Sequence, residues 1–304
     1  MTAYLAQITA RILPGIAQIS PRRREQIRAY FLSALDGNGG FRGRKGQGDL
    51  YYSAFAVRGL FLLGFLDDSF LLPRISVFLE RQNTRPDLTP VDILSWTFCS
   101  ALVNAVVGQE FSQERVDALL ARWEHFRRAD GCFASTERSE FSSTYTTFLS
   151  AIFFELLGRS ERICSIPVGP ILERRRPDGG FTELPPLKQS GTNPTAAAVA
   201  LLHILGTPLP EHLNTVDFLC RCQQPSGGFL AHQKILVPDL LSSFSAVSAL
   251  YDLGASESVN HTALQNFALK LRAPDGGYFG MSLDQHTDVE FTFYGMALEA
   301  IAFC

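Results

Sequence analysis

The sequence predicts an all-α fold built from about six helical hairpins. A short glycine-rich phrase that closes on an aromatic residue occurs five times, and the closing aromatics are 92, 48, 48 and 49 residues apart: Phe41, Phe133, Phe181, Phe229 and Tyr278. A fixed spacing of this length indicates a repeat architecture. The first gap equals two periods of 46 residues, so we expect a further unit there whose phrase has decayed.

Each phrase is followed by a polar loop and then by an apolar stretch that ends in glycine. Glycine in this place is a typical helix C-cap, because it enters the left-handed backbone region without a steric penalty. The predicted caps are Gly64, Gly108, Gly158, Gly206 and Gly254. An amphipathic stretch follows, such as residues 116–126 or 261–271, with apolar residues at intervals of three and four. The repeat is therefore a helix, a glycine turn, a polar loop and a second helix.

Three further segments complete the helical pattern. Residues 85–98 lack the Gly-Gly-Phe phrase but keep an acidic residue and a helix start, and they supply the sixth hairpin. The residues before Pro21 form an additional N-terminal helix, which we expect Pro14 to interrupt. Asp67 and Asp68 follow a capping glycine and are expected to cap the next helix.

Two features favour a closed ring over an open solenoid, which hairpin repeats of this length also form. An open solenoid needs polar ends, whereas this chain ends on an apolar helix, residues 295–304. Residues 196–202 are apolar on every side of their helix, which indicates burial on every side. We therefore expect an inner ring of apolar helices wrapped by amphipathic ones. The ring would form one domain, residues 1–304, with residues 1–20 as an N-terminal extension and the repeats from about residue 21 onward.

The composition is that of a globular chain with a large core. The chain has 304 residues, of which 46% are hydrophobic, and a net charge of −3. This balance gives no electrostatic basis for binding nucleic acid, and no uninterrupted apolar run has the length of a transmembrane segment. We expect no secretory signal, and the six cysteines lack a paired framework. A reducing, cytoplasmic location is therefore expected.

The phrase Gly39-Gly-Phe-Arg-Gly-Arg-Lys-Gly-Gln-Gly-Asp-Leu-Tyr-Tyr-Ser53 resembles the repeat of protein prenyltransferase β subunits. It is also similar to the repeats of squalene and terpene cyclases. The resemblance extends from Pro21 to Cys304 and implies an α/α toroid, with six inner and six outer helices around a cavity that binds isoprenoids. The length suits a β subunit better than a two-domain cyclase, and cyclase repeats usually carry Trp where this chain has Phe or Tyr.

The resemblance also implies where a zinc ion would be held, by Asp-x-Cys at the start of one inner helix and His at the start of the next. Asp239 matches the aspartate, but Leu241 replaces the cysteine and Phe291 the histidine. Apolar side chains cannot coordinate a metal, so zinc and zinc-dependent cysteine prenylation are not expected, while magnesium stays open. Cys220-x-Cys222 is a weak alternative zinc site, and the Asp-x-Asp-Asp acid of the cyclases is absent from the sequence.

Polar side chains recur at the predicted starts of the inner helices. The acids are Asp49, Asp92, Glu140, Asp239 and Asp288, and all but Asp92 are candidate catalytic groups. N-capping alone would also explain them. Basic residues in the adjoining loops form a candidate diphosphate site: Arg42, Arg44, Lys45, Arg138, Lys188, His232 and Lys234. The resemblance puts His232 and Lys234 near the Arg and Lys with which the family holds a diphosphate.

Aromatic and aliphatic residues at the same helix starts predict an apolar wall for an isoprenoid. They are Tyr51, Tyr52, Trp96, Tyr145, Leu241, Phe244, Phe291 and Tyr294. Residues with this helical spacing also fit a filled core, so both interpretations stay open here.

Three hypotheses follow. The preferred one is an enzyme that acts on a prenyl diphosphate or terpenoid without zinc, as a transferase to a small acceptor or as a cyclase. Carboxyl groups and loop cations would then do the chemistry, and aromatic faces would stabilise a carbocation. The second hypothesis is a non-catalytic isoprenoid or lipid carrier. The third is an interaction scaffold that needs a helical partner protein, as the resemblance to a β subunit implies.

Overall fold

The architecture is that of a computed structural model, which describes residues 3–83 and 85–302. Over these residues the regular secondary structure is helical, and β-pairing occurs only as isolated bridges. The helices in chain order are α1 (Tyr4–Ile16), α2 (Pro21–Ser33), α3 (Leu50–Leu63), α4 (Leu71–Asn83), α5 (Pro90–Val107), α6 (Gln113–Glu124), α7 (Thr144–Leu156), α8 (Ser160–Cys164), α9 (Gly169–Leu172), α10 (Thr192–Ile204), α11 (His212–Cys222), α12 (Leu240–Asp252), α13 (His261–Lys270) and α14 (Val289–Ile301).

The chain divides into two compact units. The first unit comprises Met1–Ile8 and Glu124–Lys270, and the second unit comprises Thr9–Trp123 and Leu271–Cys304. In the first unit the apolar helices α7, α10 and α12 pack side by side, and in the second unit α14, α3 and α5 do the same. Amphipathic helices cover these rows, since α11 packs on α10 and α12 while α2 packs on α3 and α4 on α5. The single-domain prediction for residues 1–304 stays a prediction.

The predicted helix ends and the buried helix are confirmed. All five predicted C-cap glycines have a positive φ, between 63° and 78°. Residues 196–202 of α10 are all buried, as their apolar character on every side predicts. Asp68 caps α4, because its Oδ1 accepts the N–H groups of Phe70 at 2.9 Å and of Leu71 at 3.1 Å.

The predicted break at Pro14 is wrong, because α1 runs through this proline without interruption. Pro14 lies in the last turn of α1, so its missing N–H costs a single helical hydrogen bond. Side-chain packing and anchoring hold the helix instead. In the first unit the Tyr4 N–H donates to Glu155 at 2.9 Å and the Tyr4 hydroxyl donates to Asp252 at 2.7 Å. Cys304, which the sequence places in the terminal helix, lies outside the described residues.

One hydroxyl group ties each glycine phrase to the apolar helix that follows it. The N–H of the closing aromatic donates to a Ser or Thr hydroxyl in the first turn of that helix, at 2.8–3.1 Å. The same hydroxyl donates to the carbonyl of the N-cap residue. The pairs are Phe41–Ser53, Phe133–Thr147, Phe181–Thr195, Phe229–Ser243 and Tyr278–Thr292. These bonds fix the start of each apolar helix beside its loop.

Among the described helices, α5 alone is long and apolar enough to cross a membrane by length and composition. It has 18 residues and a mean hydropathy of 1.4, and 44% of it is buried. Within the second unit it packs against α3 and α4, and the indole N–H of Trp96 donates to the carbonyl of Leu79 in α4 at 2.8 Å. These contacts are those of a core helix.

Candidate functional site

In the second unit an acidic site forms at the N-terminal ends of α14 and α3. Asp288 and Asp49 are the N-cap residues of these helices. Asp288 accepts the N–H of Phe291 at 2.9 Å, and Asp49 accepts the N–H of Tyr52 at 2.8 Å. A carboxylate is favoured there because it satisfies a free N–H group and complements the helix dipole. The capping role that the sequence predicts is confirmed for both residues.

Arg44 binds two carboxylates of the same unit. Its Nε donates to Asp288 at 3.0 Å and its Nη2 donates to Asp284 at 2.9 Å. Its guanidinium lies 5.6 Å from the centre of the Phe291 ring. Arg44 is thus the counter-ion of Asp288, which is only 4% exposed, whereas the sequence assigned it to a diphosphate. Arg42 and Lys45 lie exposed in the same loop.

The two capping acids differ in their electrostatic surroundings. Burial raises the pKa of Asp288 above its ordinary value, while the N–H of Phe291 and the charge of Arg44 act in the opposite direction. Burial also raises the pKa of Asp49, against the N–H of Tyr52, and the charge of Asp92 raises it further. No ion pair to Asp49 occurs among the described residues, so of these two acids Asp288 is the one whose charged form a cation stabilises.

A continuous group of aromatic rings extends along α3 and α14 from these acids. The ring centre of Tyr51 lies 5.2 Å from that of Tyr52 and 5.1 Å from that of Phe55. Phe55 in turn lies 5.4 Å from Tyr294 and 5.7 Å from Phe293. Tyr51, Tyr52 and Phe55 are half-buried, whereas Phe293 and Tyr294 are buried. We call these five residues the aromatic wall; its half-buried members present an apolar surface next to two carboxyl groups.

Sequence reasoning missed Arg58, which lies against the same wall. Its guanidinium is 4.8 Å from the ring centre of Phe293 and 5.9 Å from that of Phe98. Arg58 is the one charged residue in the apolar helix Leu50–Leu63. A single charge inside an otherwise apolar helix was therefore the signal that pointed to it.

In the first unit the equivalent N-cap of α12 is Asp239. Its carboxylate accepts the N–H and the hydroxyl of Ser242 at 2.7 Å and 2.8 Å. Burial raises the pKa of Asp239, and these two bonds act against the rise. No ion pair to Asp239 occurs among the described residues. The capping role is confirmed here as well.

The start of α7 is built differently, with an acid that sequence reasoning missed. Ser143 is the N-cap, and its hydroxyl donates to the carboxylate of Glu183, which also accepts the N–H of Tyr145 at 3.4 Å. Burial raises the pKa of Glu183, while the Ser143 hydroxyl lowers it. Glu183 lies two residues after Phe181, in the next phrase along the chain. The feature of the sequence that could have indicated Glu183 is an acidic residue two positions after a closing aromatic. This position faces the start of the neighbouring helix.

Two acids do not occupy the predicted common position. Glu140 is exposed and precedes the N-cap Ser143 by three residues, so it does not cap α7. Asp92 lies inside α5 as the third helical residue, in a capping box with Thr89, whose N–H donates to Asp92 at 2.9 Å. The two acids miss the position that residue counting predicts because the loops differ in length and because a hydroxyl group, from Ser143 or Thr89, caps each helix.

The predicted cations belong to three different loops of the first unit and to one loop of the second unit. In the first unit Lys188 and Lys234 line one surface cleft of about 290 Å³ with Asp178 and Phe218. The N–H of Lys234 donates to Nδ1 of His232 at 3.2 Å. Arg138 is exposed in the loop before α7, and Arg42, Arg44 and Lys45 belong to the second unit.

The predicted wall residues also separate into groups. Leu241, Phe244 and Phe291 are half-buried at their helix starts, and Tyr145 is 44% exposed with its ring centre 6.4 Å from that of Phe148. Trp96 departs from the prediction, because its indole is bonded to α4 and its ring packs 6.1 Å from that of Phe111. Trp96 therefore belongs to the packing of the α4–α5 hairpin.

The described residues offer a poor fit for zinc. Over residues 3–83 and 85–302, no group of three His, Cys, Asp or Glu side chains is placed to hold a metal ion. Burial raises the pKa of the thiols of Cys220 and Cys222, which disfavours the thiolate form that binds zinc.

Comparisons with known proteins agree with this architecture. The family model described as "Prenyltransferase alpha-alpha toroid domain" matches residues 1–216 and 198–303. The protein farnesyltransferase subunit beta of Pisum sativum is 31% identical over 128 residues, which are 40% of this chain and 30% of that subunit. The match therefore spans less than a third of the length of this relative.

Two solved structures share the fold at low identity. Candida albicans protein geranylgeranyltransferase-I, complexed with GGPP, is 16% identical with a TM-score of 0.68, and the match covers 90% of both chains. The apo type II terpene cyclase MstE from Scytonema is 13% identical with a TM-score of 0.61, over 95% of this chain and 97% of that one. The predicted all-α toroid fold and the resemblance read from the repeats are confirmed: the chain belongs to the prenyltransferase α/α-toroid family.

Proposed function

We propose that this chain is an isoprenoid enzyme that works without zinc, on a prenyl diphosphate or a terpenoid. The support is the second unit, where two carboxyl groups with raised pKa values adjoin the aromatic wall. The names of the relatives agree in class, since they include a farnesyltransferase subunit, a complex with GGPP and a terpene cyclase.

Acid-initiated chemistry fits the charges better than diphosphate release does. The side chain that is best placed for an anion, Arg44, is already engaged by Asp284 and Asp288. In our proposal Asp49 donates its proton to a carbon–carbon double bond, whose π electrons form the new C–H bond and leave a carbocation. The faces of Tyr51 and Phe55 stabilise this cation. The carboxylate of Asp288, held by Arg44, is a fixed negative charge beside it.

The proposal of a zinc-free reaction rests on Leu241 and Phe291 and on the raised pKa of the Cys220 and Cys222 thiols. Neither side chain coordinates a metal. A cytoplasmic location is part of the same proposal, because the cysteines at residues 99, 132, 164, 220 and 222 are free, as a reducing compartment keeps them.

The test is turnover by the purified chain of farnesyl diphosphate, geranylgeranyl diphosphate and squalene, with and without magnesium, analysed by mass spectrometry. We expect a product and no stoichiometric zinc in the purified protein. The Asp49→Asn variant should lose at least about 100-fold in kcat, the contribution that a positioned acid makes. Glu114→Gln, at an exposed position on α6, is the matched control.

Three results would count against the proposal. Unchanged turnover in Asp49→Asn would remove the assigned acid, and stoichiometric zinc required for activity would remove the zinc-free reaction. Tight binding of an isoprenoid without any product would favour the carrier hypothesis instead.

A helical partner protein is the second candidate function, and α4 supplies the observation that favours it. Phe70 is 65% exposed and Val77 is 44% exposed. Val77 lies on α4, and Phe70 is the residue just before this helix, where the guanidinium of Arg74 in α4 lies 5.1 Å from the centre of the Phe70 ring. The pea relative is by name a subunit of a larger enzyme. Co-purification of a partner that Val77→Asp abolishes would support this function, and a monomeric active chain would contradict it.

A further inference from the structure

Two neighbouring loops of the first unit each expose a leucine beside a lysine. Leu187, which precedes Lys188, is 44% exposed, and Leu236 is 90% exposed two residues after Lys234. Both lysines are exposed as well. The observation is the pairing of an exposed leucine with an exposed lysine in both of these loops, rather than the exposure of either leucine alone.

The two loops adjoin, so their side chains form one surface. The N–H of Thr192, at the start of α10, donates to the carbonyl of Ala231 at 2.8 Å. Lys188 and Lys234 line the same cleft, and an adjoining cleft of about 410 Å³ is lined by Arg221, Ile235 and Leu236 among others. We call the surface formed by residues 185–189, 233–236 and Arg221 the loop face.

The charge of the loop face is positive. Lys188, Lys234 and Arg221 are exposed on it, and the exposed acid that lines the cleft is Asp178. The carboxylate of Asp178 accepts hydrogen bonds from the hydroxyl of Ser190 at 2.8 Å and from the N–H of Gly180 at 3.0 Å. Its oxygen Oδ1 is therefore bonded within the glycine phrase and the loop that follows it. The nearby acids Glu183 and Asp239 are half-buried and serve as helix caps.

We infer that the loop face docks on the surface of an anionic lipid bilayer. Lysine side chains bind lipid phosphates, while leucine side chains beside them enter the acyl boundary. The combination of aliphatic side chains with lysines also argues against a protein partner, because protein interfaces are enriched in aromatic residues and arginine and depleted in lysine. This inference goes beyond the proposed reaction and does not depend on which isoprenoid the chain accepts.

The experiment is flotation of the full chain with two kinds of vesicles, one of phosphatidylcholine alone and one of equimolar phosphatidylcholine and phosphatidylglycerol. We expect binding to the anionic vesicles, weakened by salt. Lys188→Gln and Lys234→Gln should each weaken it about fivefold. The double variant Leu187→Ser/Leu236→Ser should weaken it about tenfold. Inorganic phosphate should weaken binding no more than chloride does at the same ionic strength, since the bilayer and not a free anion is the ligand.

Matched controls lie elsewhere in the same unit. Lys270→Gln on α13 and Leu213→Ser on α11, where Leu213 is 66% exposed, should leave vesicle binding unchanged. Thermal unfolding should be unaltered in all variants, because the changed side chains are exposed.

Four outcomes would overturn the inference. They are no binding to anionic vesicles at low salt, equal binding to neutral vesicles, equal losses in the control variants, and displacement by inorganic phosphate beyond that by chloride at the same ionic strength. Concentration-dependent dimerisation that Leu236→Ser removes would assign the loop face to a second copy of the chain instead.

Discussion

Asp288 in the second unit and Asp239 in the first unit occupy the same position, the N-cap of an apolar helix, but their partners differ. Asp288 accepts a backbone N–H and an ion pair from Arg44 at 3.0 Å. Asp239 accepts the N–H and the hydroxyl of Ser242. Burial raises the pKa of both carboxyl groups. The fold thus fixes where the carboxyl group lies, while the partner determines how strongly its charged form is stabilised.

The partner comes from the loop before a neighbouring helix. Arg44 belongs to the loop before α3 and serves the cap of α14, which packs against α3. Glu183 belongs to the loop before α10 and serves the cap of α7, which packs against α10. One loop residue can therefore change the charge at the start of the adjacent helix without disturbing the helix that its own loop precedes.

Removing each carboxyl group should reveal this difference. Asp288→Ala deletes a cap and leaves the Arg44 charge with Asp284 alone, so we expect the free energy of unfolding to fall by about 2 kcal/mol. Asp239→Ala deletes a cap without stranding a cation and should cost about 1 kcal/mol. Urea unfolding at neutral pH measures both losses. Equal losses would mean that the ion pair contributes nothing.

The hydroxyl bond to the closing aromatic should, in contrast, be equally important in both units. Thr292→Val leaves the buried N–H of Tyr278 without its acceptor, and Ser243→Ala does the same to Phe229. Each should lose about 1.5 kcal/mol, the cost of an unsatisfied buried donor. A loss confined to one unit would contradict a shared construction. Thr292→Ser, which keeps the hydroxyl, is the control.

The sequence predicts the features that recur in each repeat of about 48 residues. The glycine caps, the buried apolar helices and the capping acids at 49, 239 and 288 depend on local chemistry and on spacing. The ion pair of Arg44 with Asp288 joins residues 244 positions apart, and no local pattern indicates it. Glu183 was not predicted for the same reason, because it caps a helix that begins 39 residues before it.

The wrong predictions have local physical causes. Counting residues from each phrase assumes loops of equal length, which misplaced Glu140 and Asp92. Trp96 lies in the second turn of α5 and not at its start, and the carbonyl of Leu79 in the adjacent helix supplies the acceptor that its indole N–H needs. Pro14 was expected to break a helix that tertiary contacts hold.

The ion pair should also be visible in the pH dependence of stability. Arg44 lowers the pKa of Asp288 against the effect of burial, so the pair stabilises the fold only where Asp288 is ionised. Arg44→Met should therefore cost about 1 kcal/mol at neutral pH and less as acid protonates Asp288. Urea unfolding across the acid range tests this, with Lys45→Met, at an exposed position in the same loop, as control. A loss that is independent of pH would indicate lost packing instead.

The ionisation of Asp239 should have the smallest effect on the free energy of unfolding. Its sign should be opposite to that of the ion pair between Arg44 and Asp288. The pKa of Asp239 is raised in the folded state, so the folded chain binds this proton more tightly than the unfolded chain does. The resulting stabilisation is present below the ordinary pKa of aspartate, about 3.9, and is lost as the pH rises through the folded pKa. Asp239→Asn keeps the cap, because Asn caps helices as well as Asp does, and removes this loss. At neutral pH the variant should match or exceed the original chain by less than about 1 kcal/mol, and below pH 4, where Asp239 is protonated as well, the two should be equally stable. A variant that is less stable at neutral pH but equally stable in acid would show that the ionised carboxylate is held by a positive charge after all, and Asp239 would then belong to the same class as Asp288.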